Sequence, residues 1–302
     1  MLTGIAAGLA AGALWALVFV APSMAHGLSA VDLTAGRFLS YGALSLCLML
    51  AMRKSIWPNF RQALAAAGMS VLGFTGYYLL LVLAIRDAGT LVPSLVIGTI
   101  PIWMMLLGRP SHLRLGALLP GLLLTLFGLG LMVFSSLDAA NASEFLPILH
   151  FWRGVVFALA SMALWTAFGL LNAAWLKRHP EVSATTWANW LGLVTGLGAL
   201  LLWITAGSDV NVLSAQPQRA QTVTLLIATG VGSAWLATLL WNVASQRLSA
   251  SLCGQLIVSE TLFALLYSFV WSARWPSTSQ LAAAAFFIAG ILASTWAHRQ
   301  PD

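Results

Sequence analysis

Residues 2–21 read LTGIAAGLAAGALWALVFVA. No residue in this stretch is charged, and Thr3 carries its one hydroxyl. As a helix it is about 30 Å long, the thickness of a bilayer's hydrocarbon core, which about 20 apolar residues cross. Reading outward from it, charges and turn residues divide the chain into ten such spans: Leu2–Ala21, Leu33–Met52, Gln62–Ile85, Leu91–Leu107, Leu115–Ser135, Gly154–Leu176, Ala184–Ala206, Thr222–Ala244, Ser249–Val270 and Gln280–Ala297. The longest connections, Ser136–Arg153 and Gly207–Gln221, are too short for a separate domain. Helices satisfy their own backbone hydrogen bonds in lipid, so the expected fold class is an all-α polytopic membrane protein of ten transmembrane helices.

Composition agrees. The 302 residues include fourteen Lys or Arg and eight Asp or Glu, 7% of the chain, against about 25% in a soluble domain. Apolar residues make up 60%, with fourteen tryptophans and a mean hydropathy of +0.90. So few charges could not solvate a soluble protein of this size. The pI near 10 does not mark a nucleic-acid partner, because no basic stripe exists. The basic pairs Arg53-Lys54 and Lys177-Arg178 lie between apolar blocks, where cytoplasmic loops carry their positive excess. Cys47 and Cys253 lie within spans and suggest neither a disulfide framework nor a metal site. The first span is followed by Pro22-Ser23-Met24-Ala25, yet no Lys or Arg precedes it and it exceeds a signal peptide's apolar core, so it reads as a retained helix.

With the N-terminus inside, nine Lys or Arg fall on cytoplasmic segments and five (Arg37, Arg86, Arg153, Arg219, Arg274) on outer ends. This places both termini in the cytoplasm, with the protein multi-pass in a cytoplasmic (inner) membrane. An Asn141-Ala142-Ser143 sequon then falls in an outer loop, where it matters only in a glycosylating host.

The halves resemble each other. Ala13-Leu14-Trp15 returns as Ala163-Leu164-Trp165, and the short hinge from Ala84 to Pro101 has a counterpart from Ala244 to Thr261. The chain is read as one transmembrane domain over residues 1–302, with one repeat over about 1–136 and a second over about 152–299. Five spans per half force opposite orientations, the inverted repeat of many secondary transporters.

Glu260 lies near the middle of the ninth span. A charge there costs about 2.5–3.5 kcal/mol on insertion scales and normally faces a cavity or a partner. Its span carries Ser251, Gln255 and Ser259 on one face, as interhelical hydrogen bonds or as pore lining. Other spans show polar or aromatic faces: Thr238, Trp241, Asn242 and Ser245; Trp165, Gly169 and Asn172; Phe74 and Tyr78; Arg37, Tyr41 and Ser45, with Arg37 close to the outer end; and Ser94, Gly98 and Pro101 beside Thr99. Pro93 and Pro101 can kink the fourth helix. Trp57, Trp152, Trp175, Trp271, Trp275 and Trp296 fit an interfacial belt. Gly4, Gly8 and Gly12, and Gly192 with Gly196, read as packing surfaces. No phosphate loop, nucleophile elbow, metal-ligand motif or mid-span aspartate occurs, and the histidines lie at span ends or in loops. The residues therefore call for no cofactor and no catalytic activity.

These features resemble the drug/metabolite transporter superfamily in its ten-helix, EamA-like form, along essentially the whole chain. The Trp-containing helices that open each half, Arg37-Phe38 in the second helix, the hinge Ala84–Thr90 and Pro101 carry the likeness. The chain departs from the pattern in reading Glu260-Thr261 for Glu-Pro, which implies a straighter ninth helix, and Gly108-Arg109 for Gly-Glu. Trp241-Asn242-Val243 and the aromatic third helix are similar to YddG-type amino-acid exporters. The resemblance implies a small-molecule substrate, amino acids including aromatic or hydrophobic ones, exported by alternating access. Drugs such as lipophilic cations, or other metabolites, are the alternative. The expected substrate-binding residues are Tyr78, Thr99, Trp165, Asn242, Gln255 and Glu260. Asn and Gln would take the substrate's carboxylate or amide, the aromatics its side chain or ammonium, and Glu260 any coupled proton. The sequence sets no oligomeric state.

Overall fold

A computed structural model describes residues 1–24, 28–51, 57–88, 91–111, 113–139, 148–216, 218–272 and 275–299. The described residues form helices joined by short turns: α1 (Leu2–Met24), α2 (Ala30–Ala51), α3 (Phe60–Ala88), α4 (Leu91–Gly98), α5 (Ile100–Leu107), α6 (Leu115–Ala139), α7 (Ile148–Arg178), α8 (Ala184–Ala206), a short α9 (Val210–Ser214), α10 (Arg219–Arg247), α11 (Ala250–Ser272) and α12 (Thr278–Ala297). Among them eight helices are long and apolar enough to cross a membrane, and two shorter apolar helices, Leu2–Leu17 and Val96–Leu107, accompany them. The chain is a multi-pass membrane protein.

Local chemistry sets the boundaries. Capping boxes of Asn59 with Gln62 and of Ser277 with Gln280 start α3 and α12, and Ser183 caps α8, each meeting an amide that the first helical turn leaves free. The fourth span is broken rather than merely kinked. Helix α4 stops at Gly98, and Thr99 stands at the N-cap position of α5 without a side-chain capping bond, ahead of a first turn that holds Pro101. Helix α11 runs unbroken through Glu260, as the absence of a proline after the glutamate implied. Two helices contain π-helical stretches, Val71–Thr75 in α3 and Gly230–Leu236 in α10. Helix α7 begins at Ile148 rather than Gly154. His150 and Arg153 read as loop residues in the sequence, yet a helix leaving the bilayer carries charge in its last turns without penalty. The sequon lies outside the described residues.

The closest packing is at glycines. Helix α1 lays Gly4, Gly8 and Gly12 against Leu248, Leu256 and Ser259, and a Cβ on Gly12 would stand 2.3 Å from the Ser259 Oγ. Helices α2 and α8 cross at Gly42 and Gly196, where either added Cβ would approach the other residue's Cα within 2.7 Å. Lipid offers no hydrophobic force between helices, so close approach of this kind holds a membrane bundle together. Helices α6 and α12 form another extensive contact, as do the second half of α3 and α7.

Burial is asymmetric along the bundle. On α11, residues 251–256, 258 and 259 are buried, whereas 260–267 are partly or fully exposed. Helix α8 is buried from Trp187 to Gly192 and exposed at Leu197, Leu200, Leu201 and Ile204. The end of the bundle that holds the N-terminus is closed, and the packing loosens toward the opposite end.

Candidate functional site

The closed end is built from side chains the sequence marked as polar or aromatic. Trp187 stacks on Trp175 at 3.7 Å, and Trp175 on His179 at 4.2 Å. Trp175 therefore belongs to this plug rather than to the interfacial belt, while Trp57, Trp152, Trp275 and Trp296 are exposed as the belt requires. The Trp187 indole donates to Asn172 Oδ1 at 2.7 Å, the Asn172 amide donates to Asn242 Oδ1 at 3.1 Å, and Asn242 donates to the Ala184 carbonyl at 3.4 Å. Asn172 and Asn242 are completely buried. Asn172→Leu removes both amide partners, so the Trp187 N–H and the Asn242 carbonyl oxygen each lose a bond at about 1–3 kcal/mol. A drop in the detergent melting temperature is expected, and an unchanged value would show that the network contributes nothing.

Above this plug lies an aromatic cage. Trp15, Trp165 and Trp241 form a triangle with centroid separations of 6.0, 5.3 and 6.0 Å. Trp165 continues edge-to-face into Phe168, then Phe74, Phe38 and Tyr78. Trp241 is buried and its indole N–H has no partner among the described residues, whereas Trp15, Trp165 and Tyr78 are partly accessible. Arg37 and Tyr77 lie within electrostatic reach of each other and of both Tyr78 and Glu260. The Arg37 Nη2 donates to the Ser233 carbonyl at 3.1 Å, inside the π-helical stretch of α10.

The structure thus brings Tyr78, Trp165 and Glu260 toward one partly accessible interior. Thr99 is partly accessible at the α4–α5 break, where its hydroxyl donates to the Val96 carbonyl at 2.6 Å and meets the Met162 sulfur at 3.1 Å. Asn242 and Gln255 are placed elsewhere. Gln255 is wholly buried and donates to Thr125 of α6 at 3.1 Å. Ser251 and Ser259 are buried with it, so with this end of the bundle closed the polar stripe of α11 faces protein. A period of four residues cannot distinguish interhelical contact from pore lining, because both turn polar groups away from lipid. Arg37 also departs from expectation, for it lies within reach of Glu260 rather than serving only as an outer-end charge. The stripe Arg37, Tyr41, Ser45 carried that signal, since Tyr41 on the same face points inward and donates to the Ala188 carbonyl at 2.7 Å. The ion pair of Arg153 with Asp87, 2.6 Å from Nε, ties α7 to α3 and was not foreseen.

A multi-pass helical bundle with a partly accessible, aromatic interior defines a membrane protein of the transporter kind, and comparison with known proteins agrees. The signature of the EamA-like transporter family matches residues 152–296. Inner membrane protein YtfF of Escherichia coli (strain K12) is 30% identical over 308 residues, spanning 97% of this chain and 94% of that protein. The chain belongs to the EamA-like transporter family, within the drug/metabolite transporter superfamily. A solved crystal structure also superposes with a TM-score of 0.75 over 99% of both chains at 20% identity, a likeness of fold.

Proposed function

We infer that the protein exports amino acids across the cytoplasmic membrane, with broad specificity that includes aromatic and hydrophobic ones. The observation that carries this reading is the aromatic cluster that includes Trp15, Trp165 and Tyr78, each partly accessible, beside the buried Trp187–Asn172–Asn242 network. Aromatic faces suit both an apolar side chain and an ammonium group. The likeness to YtfF, an inner membrane protein by its name, supports the location. The excess of Lys and Arg at the closed end supports cytoplasmic termini.

Transport proceeds by alternating access between two inverted halves of five spans, about 1–136 and 152–299. In support, the 29-residue helices α3 and α10 each enter a π-helical stretch eleven residues beyond their first, and such stretches accompany functional sites. The contacts α2 with α8 and α6 with α12 also pair corresponding spans of the two halves. Tyr78, Thr99, Trp165 and Glu260 contact the substrate, while Asn242 and Gln255 reach it only if the closed end opens.

Purified protein in liposomes loaded with unlabelled substrate tests this by counterflow against a panel of amino acids and lipophilic cations. Saturable counterflow of radiolabelled phenylalanine or leucine is expected, and Trp165→Ala should weaken it at least about fivefold, the effect of losing one aromatic contact of about 1 kcal/mol. Flux of tetraphenylphosphonium without flux of any amino acid would instead establish the drug-exporter reading.

A further inference from the structure

Two opposite charges face the interior of this bundle without pairing. Glu260 is central in α11 and Arg37 is in the second turn of α2, and each is partly accessible. They lie within electrostatic range of each other, yet the ion pair found among the described residues is that of Arg153 with Asp87. Membrane charges are expensive and normally neutralise one another by contact. These two stand close enough to interact and too far apart to touch.

Arg37 is also incompletely satisfied. One terminal nitrogen donates to the Ser233 carbonyl, its carbon lies 5.2 Å from the Phe38 ring centre, and its buried Nε has no partner among the described residues. A guanidinium stays charged and presents a planar fork matched to a carboxylate. Glu260 likewise has no hydrogen bond within the described residues, and Tyr77 and Tyr78 are also in electrostatic range of Arg37.

We propose that Arg37 and Glu260 form a two-ended site for the head group of a zwitterion, Arg37 taking an α-carboxylate and Glu260 an α-ammonium. This rests on the amino-acid reading and deepens it by assigning each end of the head group. It also moves carboxylate recognition from Asn242 and Gln255, whose amides are engaged between helices, to the partly accessible guanidinium of Arg37. A lone lipophilic cation satisfies Glu260 but meets unscreened repulsion from Arg37, and a lone carboxylate meets the reverse. A dipolar head group satisfies both, and the side chain is left for the aromatic cage.

The test is competition for phenylalanine counterflow in proteoliposomes by phenylalanine, phenethylamine, which lacks the carboxylate, and 3-phenylpropionate, which lacks the ammonium. With wild-type protein both truncated analogues should compete at least about tenfold more weakly, the effect of losing one charge-assisted hydrogen bond. In Arg37→Gln the preference for phenylalanine over phenethylamine should collapse toward one, while preference over phenylpropionate persists. Equal competition by phenylalanine and phenethylamine in the wild type overturns the two-ended site and leaves amino-acid export standing. So does an unchanged preference in Arg37→Gln. Absence of phenylalanine flux with flux of tetraphenylphosphonium removes the export reading and the site together. The wild-type comparison needs no variant, so poor folding of Arg37→Gln leaves the proposal decidable.

Discussion

Gly42→Leu is expected to abolish recovery of folded protein, as a loss of the monodisperse peak in detergent. A Cβ at this position would lie 2.6 Å from the Gly196 Cα and 3.1 Å from the Gly192 carbonyl oxygen. Both are backbone atoms, which cannot rotate away. Overpacking where side chains can yield costs about 1–3 kcal/mol; here α2 and α8 must separate along their whole contact. That separation would also break the Tyr41 bond to the Ala188 carbonyl and displace Arg37, one turn before Tyr41 on the same helix. Gly130→Leu is the control, because a Cβ there meets nothing within 4 Å. Equal yields of Gly42→Leu and Gly130→Leu would show that the α2–α8 crossing is not what holds this part of the bundle.

That crossing shows how far the sequence could be read. Gly192 and Gly196 are legible as a packing stripe because small residues four apart share a helix face, but the partner is not, since the two glycines of α2, Gly36 and Gly42, are six apart and do not share one. The helical class and nearly every span follow from unbroken apolar runs, which one physical requirement, backbone satisfaction in lipid, makes unambiguous. Boundaries slip where a helix leaves the bilayer, as α7 does at His150 and Arg153. The interior is harder. Trp15, Trp165 and Tyr78 could be placed on faces, but their convergence depends on helices distant in sequence. Asn242 and Gln255 looked like cavity residues because an amide facing another helix and an amide facing water have the same spacing. The π-helical stretches leave no signature in apolar periodicity, although both contain glycine.

Glu260→Gln is expected to uncouple transport from protons. The carboxylate can hold a proton or face a substrate ammonium but cannot serve both at once, so exchange of one for the other links outward substrate movement to inward proton movement. Glutamine has nearly the same shape and does neither. Groups in electrostatic range of Glu260 are Arg37 on α2 and Tyr77 on α3. Arg37 stays protonated at any physiological pH, tyrosine ordinarily titrates near pH 10 and histidine near about 6.5, so the part of the pH response that belongs to Glu260 is the part that Glu260→Gln removes. In proteoliposomes, accumulation driven by a pH gradient should fall at least about tenfold in Glu260→Gln, the scale of one lost charge-assisted interaction. Residual counterflow at high substrate concentration should no longer vary with pH. Retention of the wild-type pH dependence by Glu260→Gln would exclude Glu260 as the coupling group. Glu260→Asp separates the two parts of the role, for it keeps the titrating group while shortening its reach. It should keep the pH dependence with weakened substrate binding, and a pH-independent Glu260→Asp would show that the carboxylate must stand at its present distance from Arg37 to exchange its proton.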